Sequence, residues 1–520
     1  MLGDSLMRIL FVRPNRDAFG CKPVGIALLS GILKSLGHTV NLFDTTRFEL
    51  GYVPRSSVGE CINIHKPINS SDLMRCGQVK GGSIDTCKID FLQKLEEFDP
   101  DLIAFSVLSD EKLVAYELAK TAKTWDPKVP IVFGNKHPTV SPEETISNEF
   151  VDYICVGEGL DSFPELLGRI ESGKNPSNVK GIWSKKKNAI ARNKVGPLRV
   201  DLDCLPYLDW DIFEEAQFYK PYTGKLYRGG DYMSNWGCVY HCAYCINDYF
   251  HNLYGTRSIR RYSPDRAVKE LKYLKEKYRL EFIKFYDEDF LLRRRDVLEE
   301  FACLYKNEVG LPFVMEANPK SINQWNVELL RDMGCVSASV GVESGNESLR
   351  RDILGRSDSV QEVIQAFNLL NNVGIRTVAF VMLGLPFDSR EAIFDTINLL
   401  RKAKVDTPAV GFFYPYPGTR SREICISNGF FDPNKENSDT ALSGTRSALT
   451  LSNISQEELV GIWQTFVFYC KFPKSFWPFI QRAEVNDTVG KEIYSLLGKI
   501  YKEYVQNSNG EFCDSAYDVQ

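Results

Sequence analysis

Along the first 165 residues, short continuous apolar runs alternate with stretches whose apolar positions recur every three or four residues. Arg8-Ile-Leu-Phe-Val12 has the pattern of a buried strand, 23–36 has helical spacing that Gly37 ends, and Thr39-Val-Asn-Leu-Phe-Asp44 follows as a second strand. Strand patterns return at 101–106, 129–133 and 153–156, with a helical run at 112–124 after the first of them. Such alternation predicts an open parallel sheet whose ligands sit at the carboxyl ends of its strands. The polar stretch 45–87 holds Gly51, Gly59, Gly77, Gly81 and Gly82 and is too long for an ordinary connection, so it reads as a lid or a disordered insertion. Residues 166–230 read as a connector, with Lys185-Lys-Lys187 as a solvated turn.

A second alternation starts near residue 231. Strand patterns at 232–236, 282–286, 313–316, 337–342, 377–383 and 409–414 are separated by helical runs, and six such units predict a barrel or part of one. One helix start is clear: Ser263 caps, Pro264 suits the first turn, and Ala267, Leu271, Leu274 and Tyr278 form one apolar face. Beyond about 430 the pattern is helical, with Ser455-Gln-Glu-Glu458 similar to a capping box and the last ten residues expected to fray. The expected class is α/β. Its segments are 7–165 with the insertion 45–87, the connector 166–230, a partial barrel at 231–425 and a helical domain at 426–520.

Composition narrows the function. Lys and Arg number 63 against 68 Asp and Glu, a net charge of −5 with no basic block, which disfavours nucleic acid as a partner. The apolar run 9–12 is too short for a signal-peptide core, and 378–387, broken by Gly384 and Pro386, is about half a membrane span. A cytoplasmic protein is expected, so its 14 cysteines are expected to stay reduced.

Three of those cysteines are grouped. Trp236-Gly-Cys238-Val-Tyr-His-Cys242-Ala-Tyr-Cys245 puts three thiols within eight residues, directly after a strand and at the mouth of the expected barrel. Three thiolates can hold three corners of an iron–sulfur cube and leave one iron open. Structural zinc is the alternative and would take His241 or His251 as fourth ligand. Cys-x3-Cys-x2-Cys with Tyr244 before the last Cys resembles the radical S-adenosylmethionine (SAM) superfamily over about 231–420. That resemblance implies a partial six-unit barrel of TIM type and a [4Fe–4S] cluster on Cys238, Cys242 and Cys245. It also implies SAM bound at the open iron and cleaved to a 5′-deoxyadenosyl radical.

Further fragments lie in the family's order. Glu288, within Lys284-Phe-Tyr-Asp287-Glu288-Asp289-Phe290, stands where the family places an acceptor for the methionine amino group, although the usual Gly-Gly-Glu is absent. Glu343 and Ser344 match positions that hold the ribose and methionine parts, and Arg356 is expected to hold the carboxylate with its planar fork. Gly384 resembles the adenine wall, and Pro417-Gly418 the sixth-strand motif.

Residues 7–165 resemble the Rossmann-like cobalamin-binding domain that precedes the radical domain in one branch of the superfamily. The match rests on Val24-Gly25, Ser106-Val107-Leu108, Gly134-Asn135 and Gly157-Glu158-Gly159, with Asn135 where the family often has glycine. The Asp-x-His-x-x-Gly motif that ligates cobalt in mutase-type domains is missing, and Asp17-Ala-Phe19-Gly20-Cys21-Lys22 stands in its place. His137, beside Pro138, is expected to make backbone hydrogen bonds rather than bind metal.

The resemblance as a whole implies a methyltransferase acting on an unactivated carbon or a phosphinate phosphorus, with cobalamin as a third cofactor and a flavodoxin- or ferredoxin-like electron donor. Radical ring rearrangement or cyclisation on the same scaffold is the alternative, and a non-enzymatic corrinoid or redox sensor is the alternative of another class. A small molecule, a lipid and a peptide all remain open as substrate. The aromatics Trp463, Phe466, Phe468, Tyr469, Phe472, Phe476, Trp477 and Phe479 are expected to make core contacts, with an apolar substrate pocket as the minority reading.

Overall fold

The computed structural model describes residues 6–15, 21–48, 50, 82–186, 189–222, 225–435, 446–501 and 503. Most of the insertion 45–87, residues 17–20 of the loop after the first strand, Lys187 and the last ten residues lie outside them. The described residues form two compact units, one of 6–50, 82–219 and 249–262, the other of 220–248 and 263–503.

The first unit is built on a seven-stranded sheet. Its strands are β1 (Arg8–Arg13), β2 (Thr39–Asp44), β3 (Leu102–Ser106), β4 (Ile131–Gly134), β5 (Tyr153–Cys155), β6 (Ile182–Lys186) and β7 (Ala189–Ala191), in the order 2-1-3-4-5-6-7. The first five are parallel, as the alternation predicts, and β6 and β7 add an antiparallel edge. Leu10, Val12, Phe105 and Phe133 are almost wholly buried, as strands covered by helices on both faces require. Two features depart from the expectation. A helix, Ile84–Phe98, rises from the end of the insertion and buries Cys87, Phe91 and Leu95, spaced four apart on one stripe. The connector also folds in part, and Lys185, expected in a solvated turn, pairs with Ile190 in the β6–β7 ladder.

The second unit curls a seven-stranded sheet into a half-barrel. β8 (Tyr219–Tyr222), β9 (Lys225–Tyr232), β12 (Phe282–Phe285), β13 (Phe313–Ala317), β14 (Cys335–Glu343), β15 (Arg376–Leu383) and β16 (Thr407–Phe412) lie side by side in that order, and β9 through β16 run parallel. The short strand β10 (Asn235–Trp236) stands apart from this sheet, and β11 (Arg260–Arg261) belongs to the first unit. Five of the six expected strands fall in place. The first barrel strand is Lys225–Tyr232, ahead of the predicted 232–236. Gly229-Gly230, at the end of the expected connector, lies inside this strand, and a Cβ at Gly229 would lie 2.6 Å from Lys220 Cγ, so glycine serves the packing of β8 on β9.

The helices between the strands are set as their caps predict. Ser263 accepts from Arg266 N and opens Pro264–Tyr278, whose Ala267, Leu271, Leu274 and Tyr278 are buried. Ser455 accepts from Glu458 N and opens Gln456–Lys471. The aromatics of the C-terminal helices mainly pack: Phe466, Phe468, Tyr469 and Phe472 are buried, Trp463 Nε1 donates to Val410 O of β16, and Phe479 alone of the eight is exposed. Among the described residues no helix is long and apolar enough to cross a membrane.

Candidate functional site

Gly237, at φ 97°, turns the chain after β10 into the loop that carries Cys238, Cys242 and Cys245. All three thiols are free of disulfides and partly buried. The loop is pinned from two sides. Ala243 N donates to Leu354 O at 2.8 Å, and Ala243 O accepts from Ser421 N at 3.0 Å. Gly355 allows the contact, because a Cβ there would lie 3.0 Å from His241 O. Burial pushes the Cys238 and Cys245 thiols up to about 12 and raises that of Cys242, where Arg356 opposes the rise. Thiolate charge adds to this, Cys242 raising Cys238, and Cys242 with Cys238 raising Cys245.

Around this loop stand the ends of the barrel strands. In Asp287-Glu288-Asp289, after β12, the outer two carboxylates are consumed by the fold. Asp287 accepts from the backbone and hydroxyl of Ser234, and Asp289 from Leu291 N, Asn318 N and Ser321 Oγ. Glu288 is left facing the cysteine loop, accepting from Asn247 Nδ2 at 2.9 Å and raising the Cys238 and Cys245 thiols by its charge.

Glu343 closes β14 at φ 67°, a left-handed conformation that costs a non-glycine residue of order 1 kcal/mol or more. The β14–β15 register shifts at this point, and the carboxylate folds back so that a Cβ on Gly341 would lie 2.8 Å from Glu343 Oε1. Arg356 is buried against it. Its Nη1 donates to Tyr244 Oη at 3.2 Å and lies 3.9 Å from Glu343, its Nη2 donates to Gly341 O at 2.8 Å, and its Nε to Asp358 at 2.9 Å. The sequence reading passed over Arg350, whose fully buried guanidinium binds Val342 O, Ser344 O and Asp358 and thereby shapes the same strand end. The Ser344 hydroxyl accepts from Asn346 N. Gly384, at φ 73°, packs under Ser447 and Leu459, and Gly418, at φ 78°, lies in the Tyr416–Thr419 turn with Pro417.

In the first unit the expected residues also line strand ends. A Cβ on Gly25, beside Val24 at the start of its helix, would meet nothing within 4 Å. Asn135 takes φ 83°, caps the next helix and donates to Ser106 Oγ at 3.1 Å. With ψ −159° this is a conformation that is essentially reserved for glycine, so Asn135 is a strained residue where the family often has glycine. Val107 N donates to Gly134 O, and Leu108 N to Glu111. His137 is fully buried, its N–H given to Val107 O. Gly157 is a close approach: its Cβ would lie 2.2 Å from Tyr254 Oη, which accepts from Glu158 N. The Glu158 carboxylate, just ahead of Gly159, takes the fork of Arg260 at 3.0 and 2.6 Å.

The sequence matches the radical SAM superfamily over residues 236–400 and the B12 binding domain over 79–167. The chain is a radical SAM enzyme with a B12-binding domain. It is 24% identical to an uncharacterised methyltransferase of Pyrococcus horikoshii, over 67% of this chain and 74% of that one. It is 21% identical to the cytidylyl-2-hydroxyethylphosphonate methyltransferase of Streptomyces wedmorensis, over 82% and 83%. The cobalamin-dependent SAM radical enzyme OxsB, solved with aqua-cobalamin and SAM, shares the fold at a TM-score of 0.66 and 17% identity, covering 96% of this chain and 71% of that one.

The cofactors that accompany these two domains are a [4Fe–4S] cluster, SAM and cobalamin. The residues of the radical SAM domain fit the cluster. Three thiols gathered on one loop, each raised by burial, form a donor set that ionises against a metal cation and is otherwise held neutral. The zinc alternative named His241 or His251 as fourth ligand; His241 Nδ1 is bonded to Asp248 at 2.8 Å, and Asp248 is also held by Arg420. At Gly25, in the first turn of its helix, and Gly134, at the end of β4, an added Cβ would meet no atom closer than 3.8 Å, so both leave room for a ligand.

Proposed function

We propose that the chain is a cobalamin-dependent radical SAM methyltransferase that methylates an unactivated carbon or a phosphinate phosphorus. The observation that carries this reading is three thiols on one pinned loop beside Glu288, Tyr244 and Glu343, in a chain that also has a B12-binding domain. Two methyltransferases among the relatives support it. When bound, the cluster supplies an electron for SAM cleavage and cobalamin supplies the methyl group to be transferred.

The chain's own part is to hold and orient. Cys238, Cys242 and Cys245 grip the cluster, and Glu288 accepts a hydrogen bond from the SAM ammonium. Glu343 and Ser344 present oxygens to the ribose and methionine parts. Arg356 acts as a positioning residue, because its fork already binds Asp358, Gly341 and Tyr244 and thereby holds Glu343 and the cysteine loop in one arrangement. Gly384 with Pro417-Gly418 flanks the adenosine. Val24-Gly25, Ser106 to Leu108, Gly134-Asn135 and Gly157 to Gly159 border cobalamin, Glu158 holding its loop through Arg260. The enzyme works in the cytoplasm with a flavodoxin- or ferredoxin-like donor.

The test is anaerobic reconstitution with iron, sulfide and hydroxocobalamin, then mass spectrometry of SAM products under a strong reductant. Bound corrin with both 5′-deoxyadenosine and S-adenosylhomocysteine is the expected result. Corrin with 5′-deoxyadenosine alone transfers the assignment to radical rearrangement or cyclisation, and neither product with no bound iron sinks it.

A further inference from the structure

Buried positions of a helix are ordinarily apolar, with polar residues on the opposite face. The helix Ile246–Tyr254, which opens directly after the last cysteine of the triplet, reverses this: its buried residues are Asn247 and Asp248. A buried polar side chain costs free energy unless it is bonded, and both of these are. Asp248 accepts from Arg420 Nε at 2.7 Å and is bonded to His241 Nδ1 at 2.8 Å, which ties the helix start to the cysteine loop. Asn247 reaches elsewhere. Its Nδ2 donates to Glu288 Oε2 at 2.9 Å.

Main-chain bonds fix Asn247 against the cysteine loop: Cys245 N donates to Cys242 O at 3.1 Å, and Asp248 N to Cys245 O at 3.2 Å. Burial raises the Cys245 thiol, the charge of Glu288 adds to the rise, and the Asn247 N–H, bonded to the sulfur, opposes it. One residue therefore meets a cysteine of the triplet with its main chain and the carboxylate after β12 with its side chain. The turn that carries Glu288 is locked as well. Asn235 N donates to Asp287 Oδ1 at 2.5 Å, and Asn235 Nδ2 to Asp289 O at 3.4 Å. Glu288 is exposed between these two, and the bond from Asn247 sets the direction of its long side chain. That bond engages Oε2, and a carboxylate keeps acceptor capacity beyond one bond.

We propose that Asn247 is a positioning residue for SAM: by holding Glu288 Oε2 it fixes the carboxylate beside the cysteine loop and presents Oε1 to the SAM ammonium. This deepens the reading above and rests on its assignment of Glu288. A carboxylate ordered before binding spares SAM the loss of its rotamer freedom. The carboxamide suits the task because it donates without charge. A lysine or arginine in its place would compete with the SAM ammonium for the charge of Glu288.

The test is equilibrium dialysis of labelled SAM against the reconstituted holoenzyme without reductant, so that no SAM is consumed. Asn247→Asp keeps the size of the side chain and suits the first turn of a helix, but sets a second carboxylate against Glu288. It is expected to weaken SAM binding about tenfold or more with iron content unchanged. Exchanging the two groups, Asn247→Asp with Glu288→Gln, restores a donor–acceptor pair at the parent's net charge and is expected to bind SAM more tightly than Asn247→Asp alone. A SAM analogue without the amino group is expected to bind parent and Asn247→Asp alike. Should Asn247→Asp lose iron, Asn247→Leu, which removes the donor and adds no charge, carries the comparison of SAM with the analogue. The inference is overturned if Asn247→Asp binds SAM as the parent does, if the exchange restores nothing, or if the analogue weakens in parallel with SAM, which would mark a purely structural role. Glu288→Gln alone separates the two readings. Parental SAM affinity in that variant would remove Glu288 from the SAM site and this inference with it, whereas weakened binding there with parental binding in Asn247→Asp overturns this inference and leaves the assignment of Glu288 standing.

Discussion

Arg356 donates from Nη1 to the Tyr244 hydroxyl at 3.2 Å, joining the segment after β14 to the loop that carries the three cysteines. Tyr244 lies between Cys242 and Cys245, so this contact positions the cluster loop rather than merely filling space. Arg356→Met leaves Asp358 and Glu343 short of a buried countercharge and is expected to cost about 3–5 kcal/mol and to lower iron retention. Tyr244→Phe is expected to cost about 1 kcal/mol and to keep its iron. Denaturant titration with an iron assay checks both, and two variants indistinguishable from the parent would refute the coupling.

Each cysteine of the triplet is expected to be required. Cys238→Ala, Cys242→Ala and Cys245→Ala are each expected to drop iron from about four atoms per chain to less than one after anaerobic reconstitution, with loss of the charge-transfer absorption. Cys204→Ala and Cys303→Ala, at exposed thiols on other elements, serve as controls that retain it. Retention of a full cluster in any of the three variants would require another ligand.

Gly157 is where the first unit tolerates least. At φ 83°, with its Cβ position 2.2 Å from Tyr254 Oη, Gly157→Ala meets both backbone strain and a clash. A loss of about 1–3 kcal/mol is expected. Tyr254→Phe removes the clashing oxygen but also the acceptor for Glu158 N, a loss of about 1 kcal/mol. The double variant is expected to lose less than the sum of the two, by thermal or urea unfolding. Strict additivity would show that the oxygen is not what confines the glycine.

Glu111 gives a pH dependence with a defined sign. Burial, with Asp110 adding to it, pushes its carboxyl from 4.5 up to about 7. The folded chain therefore binds the extra proton between those values, so stability falls as pH rises through that window and the cost is complete above about 7. Glu111→Gln keeps the acceptor for Leu108 N and removes the charge. Its stability relative to the parent is expected to be nearly unchanged at pH 5 and to rise by about 1–3 kcal/mol at pH 8. An equal effect at both values would show that Glu111 titrates normally.

Much of the fold was readable because its signals are local. Alternation placed all five parallel strands of the first sheet, and Ser263 and Ser455 cap where their positions suggested. The failures have long-range causes. Gly229-Gly230 reads as the end of a connector until Lys220 of the neighbouring strand packs against it, and the lysines of β6 are solvated in sequence terms until β5 and β7 pair with that strand. Glu158 is a cobalamin-side residue by motif, yet its partner Arg260 is 102 positions away and no spacing rule reaches it.

What the chain determined by itself was its chemistry. Three thiols within eight residues after a strand are a local pattern, and so are the strand and helix periods that build a sheet and a half-barrel to carry them. Which carboxylate of Asp287-Glu288-Asp289 remains facing the cysteines, what Arg356 holds, and that Asn247 reaches Glu288 were decided only by tertiary structure. Those outcomes depend on which donors arrive from elements tens of residues away along the chain. Burial then sets the cost of every polar group left without a partner.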